Sequence, residues 1–165
     1  MKAHESAFFF KYMKRYEQVK DFVYGEFHKI YNIPLKTKAF THTNSVDNCI
    51  TLLAVSRGID VECAKIAALF HDYAQFVDNC PHSQHAKLSS LHAHNYLDSL
   101  HCFKVFEIDD ICFAISQHSK KNQYDSPMCE ALKDADVLAS FLEDPTQEFT
   151  GIKKQRLLDA CADLK

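Results

Sequence analysis

The residues in this sequence that are best suited to chemistry are histidines and aspartates. His71 and Asp72 are adjacent in the segment AALFHDYAQF, His42 lies upstream, and Asp134 and Asp136 lie downstream. Imidazole nitrogens and carboxylate oxygens together form a mixed ligand set that suits Mn, Fe, Zn or Ni. A buried aspartate also costs several kcal/mol unless it is paired or bound to a cation. We therefore predict a metal site, with an aspartate helix cap beside a satisfied histidine as the alternative.

These residues belong to a series of five segments whose residue types and order along the chain are informative: THTNSV, IAALFHDYAQF, HAKLSSLHAHNYL, ISQHS and LKDADVLASF. In these segments the sequence resembles the HD-domain metal-dependent phosphohydrolases, over about residues 42–141. Several segments in the right order are a much stronger signal than the His-Asp pair alone. The resemblance implies a primary ligand set of His42, His71, Asp72 and Asp136. Asp134 lies about 200° away from Asp136 around a helix, so we expect it to be exposed or to support the ligands.

Further histidines lie between the His-Asp pair and the last aspartate. By the same resemblance, His85 and His118 are expected to bind a second metal or the substrate phosphate, with His92 as the alternative to His85. The remaining histidines of this interval are expected at the surface: His82, His94 and His101.

The sequence departs from one large subgroup of the family directly after the His-Asp pair. That subgroup has Ile-Gly-Lys, whereas this chain has Tyr73, Ala74 and Gln75. Loss of that lysine disfavours cleavage of cyclic dinucleotides. Lys120 and Lys121 follow His118-Ser119 and offer positive charge for a substrate phosphate, although a lysine pair at a helix end more often only complements the helix dipole.

The resemblance implies an enzyme that hydrolyses a small phosphate ester or anhydride, most naturally of a nucleotide. The cofactor is expected to be one or two divalent ions of Mn, Fe, Co, Ni, Zn or Mg, which lower the pKa of water. Asp72 is the expected catalytic residue, since it is placed to touch both metal and attacking water. Two alternatives remain: a metal-binding or nucleotide-sensing module without turnover, and a di-iron oxygenase. The sequence leaves the oligomeric state open.

Composition limits the class of protein. A chain of 165 residues with a hydrophobic fraction of 47% predicts one domain over residues 1–165 with a sizeable core. A formal net charge of -3 argues against a broad nucleic-acid surface. The seven cysteines form no Cys-x-x-Cys pair, which indicates reduced thiols in a cytoplasm. An apolar run of only four residues near the start predicts neither a secretion signal nor a membrane span.

Apolar residues recur at three- and four-residue steps, and this periodicity predicts an all-α bundle of about six to seven helices. The first helix covers about residues 5–31, with Phe8, Tyr12 and Tyr16 in its apolar stripe, and Asn32 and Pro34 are taken to end it. His42 is expected just before a second helix over about 43–57 that closes at Gly58. Asp60 should cap a third, buried helix that leads to His71. Later helices are predicted at about 83–100, 105–118, from Pro127 onward, and 147–164.

Overall fold

Helices account for most of the backbone. A computed structural model of the chain describes the backbone of residues 3–165 and the side chains of residues 14–165. In this part of the chain there is no strand, and the helices are α1 Ala3–His28, α2 Ile33–Arg57, α3 Val61–Phe70, the five-residue α4 Tyr73–Val77, α5 His85–Ser99, α6 Val105–Gln117, α7 Pro127–Glu143 and α8 Gly151–Asp163. The all-α prediction is confirmed. Phe8 and Tyr12 of the predicted apolar stripe lie outside the residues whose side chains are described. None of the described helices is both long and apolar enough to cross a membrane.

Helix α3 lies at the centre of the bundle and ends at the His-Asp pair. It packs against α1, α2, α5, α6 and α7. Nine of its ten residues are buried, as its nearly continuous apolar sequence predicts. Asp60 caps the helix, since its carboxylate accepts a hydrogen bond of 2.8 Å from the Cys63 N–H. The buried core around α3 is one cluster that extends along the chain from Tyr16 to Ala160.

Helix α2 is longer than the sequence pattern predicts. The Asn32 side chain accepts a hydrogen bond of 2.9 Å from the Leu35 N–H, and Pro34 occupies the first turn of α2. Both residues therefore begin α2 as well as separating it from α1, because proline is tolerated in a first turn where its missing N–H has no partner to lose. The prediction that His42 precedes the helix is wrong: His42 lies inside α2. Its side chain is consequently positioned by a rigid helix.

The other end of α2 follows the prediction. Gly58 adopts a left-handed conformation with φ 65°, and its N–H donates to the carbonyls of Ala54 and Val55. Glycine adopts this conformation without the steric cost that a side chain brings. The predicted C-cap is confirmed. It turns the chain directly into α3, so that α2 and α3 pack side by side and bring His42 and His71 together.

Candidate metal centre

Three histidines of the site are oriented by the same kind of local contact with the backbone at helix ends. His71 and His118 are the C-cap residues of α3 and α6, and His85 is the first residue of α5. In each case Nδ1 contacts the carbonyl oxygen three residues earlier. A carbonyl only accepts, so Nδ1–H must donate, which leaves Nε2 as a bare lone pair in the neutral ring. The pairs are His71 with Ala68 (2.7 Å), His118 with Ile115 (2.7 Å) and His85 with His82.

His42 is oriented by a distant carboxylate instead. Its Nδ1 lies 2.9 Å from Oε1 of Glu143, the last residue of α7. This contact again leaves Nε2 directed at the other ligand candidates, because Nδ1–H donates to the carboxylate. The sequence analysis did not identify Glu143, and a separation of 101 residues between the two partners offers no local pattern that would reveal it.

The first group of ligand atoms forms around His42 and His71. The two Nε2 atoms are 3.2 Å apart, and Oδ1 of Asp136 lies 3.2 Å from Nε2 of His42. Oδ2 of Asp72 lies 3.7 Å from Nε2 of His42 and 3.5 Å from Nε2 of His71. The four residues of the expected primary set are therefore in one place.

The second group lies on the other side of the Asp72 carboxylate. Nε2 of His85 and Nε2 of His118 are 3.1 Å apart, and they lie 3.1 Å and 3.3 Å from Oδ1 of Asp72. Asp72 thus offers one oxygen to each group. We call these six residues the histidine–aspartate cluster: His42, His71, Asp72, His85, His118 and Asp136.

The donor set of this cluster fits divalent cations. Two ligand atoms that each lie about 2.1 Å from an ion, at an angle of about 90 to 110°, are about 3.0 to 3.4 Å apart. Five of the seven contacts in the two groups fall in this range, and the contacts of Asp72 with His71 and His42 are slightly longer, at 3.5 Å and 3.7 Å. Each of two triads, His42-His71-Asp72 and Asp72-His85-His118, has ligand atoms within 4.8 Å of one another. Bare nitrogen lone pairs and carboxylate oxygens at such distances repel unless a proton or a cation lies between them. The cluster can therefore hold a metal ion.

The pKa values of the carboxylates favour their charged forms. Burial would raise the pKa of Asp72, but electrostatic interactions with the imidazoles of His71, His118 and His85 hold it well below its ordinary value. Burial acts in the same way on Asp136, where Lys121 and His42 hold the pKa well below its ordinary value. Both side chains are therefore anionic at neutral pH, as metal ligands must be.

The two central histidines of the first group differ in their affinity for protons. Burial lowers the pKa of His71 to about 4, so its ring is neutral and ready to act as a ligand. Burial would also lower the pKa of His42, but hydrogen bonds to Asp136 and Glu143 outweigh it and raise the pKa to about 10. Without a metal ion, His42 therefore holds a proton between the two carboxylates. A cation that binds there replaces this proton.

Lys121 also reaches the cluster. Its Nζ lies 2.5 Å from Oδ2 of Asp136, and its side chain is only 11% exposed. Lys120 is exposed and takes no part in the cluster. Lys121 therefore does more than complement a helix dipole, because it contacts a residue of the cluster.

Two other candidates of the sequence analysis lie apart from the cluster. His92, the alternative to His85, pairs with Asp78 at 2.7 Å and is partly exposed. Asp134 is buried rather than exposed, since Arg57 and Arg156 contact its two oxygens at 2.8 Å and 2.7 Å. Guanidinium groups bind carboxylates well in this way, and Asp134 is left without a free oxygen for a metal.

A cavity of about 420 Å³ opens onto the cluster. Fifteen residues line it, and every one is polar or charged: Lys38, His42, Asp72, Gln75, His82, His85, His118, Ser119, Lys121, Asp136, Ser140, Glu143, Asp144, Gln147 and Lys153. His82 stacks on the ring of His85 at the edge of this cavity, with ring centroids 4.5 Å apart. The cavity therefore suits a polar, charged ligand.

Comparisons with known proteins identify the family of this chain. The family model for the HD domain matches residues 39–140, more than half of the chain, and this range contains all six residues of the histidine–aspartate cluster. The chain therefore belongs to the HD-domain family.

A solved structure shares the fold. The crystal structure of a predicted HD superfamily hydrolase from an uncultured Thermotogales bacterium aligns with a TM-score of 0.64 and 22% sequence identity, over 88% of this chain and 84% of that chain. No curated protein matches the sequence. Glu143, Lys153 and Arg156 lie outside the range of the family match.

Proposed function

We propose that this protein is a metal-dependent phosphohydrolase that acts on a small phosphate ester or anhydride, most naturally of a nucleotide. The observation that carries the proposal is the position of Asp72, whose two oxygens face two separate groups of histidine nitrogens. A carboxylate with this placement can be shared by two cations. Neighbouring cations of this kind are suited to displacement at phosphorus.

The residues of the cluster have distinct roles in this reaction. His42, His71 and Asp136 would hold the first ion, and His85 and His118 the second, with Asp72 shared between them. When bound, the ions would lower the pKa of the attacking water and neutralise charge on the phosphoryl oxygens. Asp72 is the proposed catalytic residue, because its carboxylate borders both groups and also faces the cavity where water enters.

Orientation of the ligands is built into the chain. Glu143 and the three helix-end carbonyls fix the tautomer of each ring, so each Nε2 remains available. Partners of this kind tune metal sites strongly. Because these contacts exist before any ligand binds, the site needs little reorganisation at the moment of reaction.

The lining of the cavity supports a phosphorylated substrate. Lys38, Lys121 and Lys153 supply positive charge, and Ser119, Ser140 and Gln147 supply hydrogen-bonding groups. No aromatic side chain other than histidine lines this cavity among the residues that the structure describes. A substrate is therefore recognised mainly through its phosphate groups, and a nucleobase would extend toward the opening.

Metal content and phosphate release test the proposal together. The purified protein should contain one or two divalent ions per chain by elemental analysis. It should release phosphate from a panel of nucleoside mono-, di- and triphosphates, dinucleoside polyphosphates and sugar phosphates when Mn²⁺ or Co²⁺ is added. Chelation should remove this activity. Iron with oxygen-dependent turnover would instead support an oxygenase, and metal or nucleotide binding without turnover would support a sensor module.

A further inference from the structure

We propose that Lys121 is a phosphate-binding residue of this site, and that Arg156 holds it in place from outside the region of the family match. The inference rests on the proposed function, because it assigns the group that binds a substrate phosphoryl oxygen beside the metal ions. One large subgroup of the family has a lysine shortly after the His-Asp pair, where this chain has Gln75. Lys121 is a candidate for the positive charge that this lysine would otherwise supply.

The ammonium group of Lys121 lies at the edge of the histidine–aspartate cluster. Its Nζ contacts Oδ2 of Asp136, while Oδ1 of the same carboxylate faces His42. An ammonium group has three N–H donors, and the contact with Asp136 uses one. Lys121 also lines the cavity. A phosphoryl group with one oxygen at the cluster therefore presents its other oxygens to this cation.

Hydrogen bonds from two helices hold the loop that carries Lys121. Arg156 of α8 donates from Nε to the carbonyl of Lys121 at 2.7 Å and from Nη2 to the carbonyl of Gln123 at 3.1 Å. Lys133 of α7 donates to the same Gln123 carbonyl at 2.8 Å. Arg156 is itself held by Asp134 at 2.7 Å. The chain of contacts thus joins the two aspartates of the segment LKDADVLASF: Asp134 anchors the loop whose lysine contacts Asp136.

This anchoring separates Lys121 from the other lysines of the cavity. Lys38 and Lys153 are exposed, so their long side chains must lose conformational entropy when they bind a ligand. Lys121 is largely buried, and its backbone is tied to a buried arginine. A preorganised cation contributes more to binding because less freedom is lost. We therefore assign the main protein contribution to phosphate affinity to Lys121.

A calorimetric titration with inorganic phosphate tests the assignment. Wild type, Lys121→Met, Lys121→Arg and the neighbouring control Lys120→Met are each titrated with Mn²⁺, and then with phosphate in the presence and absence of Mn²⁺. Circular dichroism establishes that each variant is folded. Lys121→Met should weaken phosphate binding by about tenfold or more, the scale of a charged hydrogen bond, while still binding Mn²⁺. Lys121→Arg should recover most of the affinity, and Lys120→Met should match wild type.

The possible results separate this inference from the proposed function. Unchanged phosphate affinity in Lys121→Met, with altered Mn²⁺ affinity, would show that Lys121 only neutralises Asp136 and would overturn the inference. An equal loss in Lys120→Met would also overturn it, because the effect would then be a general one of surface charge. A wild type that binds no Mn²⁺ but loses phosphate affinity in Lys121→Met would refute the metal-dependent function and keep the role of the lysine. A wild type that binds neither ligand would overturn both.

Discussion

Asp134 and Asp136 lie two residues apart on helix α7 and have opposite surroundings. Asp134 belongs to what we call the ion-pair network, which also contains Arg57, Glu130, Lys133 and Arg156. Each oxygen of Asp134 contacts a guanidinium group, and these groups stay charged at any ordinary pH. Asp136 contacts one lysine and one histidine and faces the cavity. The two positions are about 200° apart around the helix, so the carboxylate of Asp134 faces the ion-pair network and that of Asp136 faces the histidine–aspartate cluster.

The difference shows how buried charge can serve either stability or function. In the ion-pair network the chain itself supplies the cations for Asp134. In the histidine–aspartate cluster, Lys121 and the protonated His42 face Asp136, but the other imidazole nitrogens and the carboxylate of Asp72 face one another, so full compensation requires a cation from outside. Substitutions in the network should therefore reduce stability, and substitutions in the cluster should reduce metal binding and activity.

The strongest test of this comparison is Asp72→Ala. We expect phosphohydrolase activity on every substrate to fall by at least about a hundredfold, because the variant loses the group that both metal sites share. The helical content should remain, since removing one of two neighbouring carboxylates relieves repulsion while it forfeits metal binding energy. Circular dichroism and metal-titrated kinetics provide the measurements. The exposed Asp109→Ala serves as control, and normal turnover by Asp72→Ala with normal metal content would place the reactive centre elsewhere.

A paired substitution on α7 compares the two regions directly. Asp134→Ala should reduce the free energy of unfolding by about 2 to 3 kcal/mol, since two arginines lose a buried partner but each keeps another carboxylate. Asp136→Ala should change stability much less and should reduce metal content. Urea unfolding of the metal-free proteins and elemental analysis measure the two effects. Equal losses of stability would mean that both aspartates are structural.

Glu143→Gln probes the outer edge of the cluster. Because Glu143 orients His42 through Nδ1, its neutralisation should weaken metal affinity by about 10- to 100-fold. The fold should be unaffected, since Glu143 ends α7 at the surface. Competition with a metal-binding dye measures the change. Exposed Glu148→Gln is the matched control, and a metal affinity equal to wild type in Glu143→Gln would remove Glu143 from the site.

The smallest expected effect concerns the pH dependence of the ion-pair network. Burial would raise the pKa of Glu130, but hydrogen bonds from Lys133, from the Asp125 N–H and from Arg156 hold it below its ordinary value of 4.5. A carboxyl whose pKa is lowered on folding contributes stability above its unfolded pKa, and loses that contribution as the pH falls through the folded pKa. Wild type should therefore lose stability below about pH 4.5, and Glu130→Gln should lose it less steeply over the same interval. Urea unfolding at several pH values tests this, and parallel curves would contradict it.

Local sequence patterns predicted the helices, and the resemblance to the HD-domain family supplied the ligand candidates. Three- and four-residue periodicity located the longer helices. It missed the five-residue α4, and it missed the start of α2 because Asn32 and Pro34 were interpreted only as the end of α1. His85, Ser89, Ala93 and Leu97 recur at four-residue steps along α5, and all four are buried. Such features depend on spacing within one helix, so the sequence by itself determines them.

Packing between helices decided which charges are compensated. The contact of Glu143 with His42 and that of Arg156 with Lys121 join residues 101 and 35 positions apart. No short-range pattern encodes either contact, since the first depends on how α7 packs against α2 and the second on how α8 lies beside the loop before α7. The resemblance of the sequence to the HD-domain family therefore supplied His42, His71, Asp72, His85, His118 and Asp136 as the candidate ligands. The tertiary structure decided that these ligands form two groups around Asp72 and that both oxygens of Asp134 contact arginines. Both arrangements depend on distances between helices.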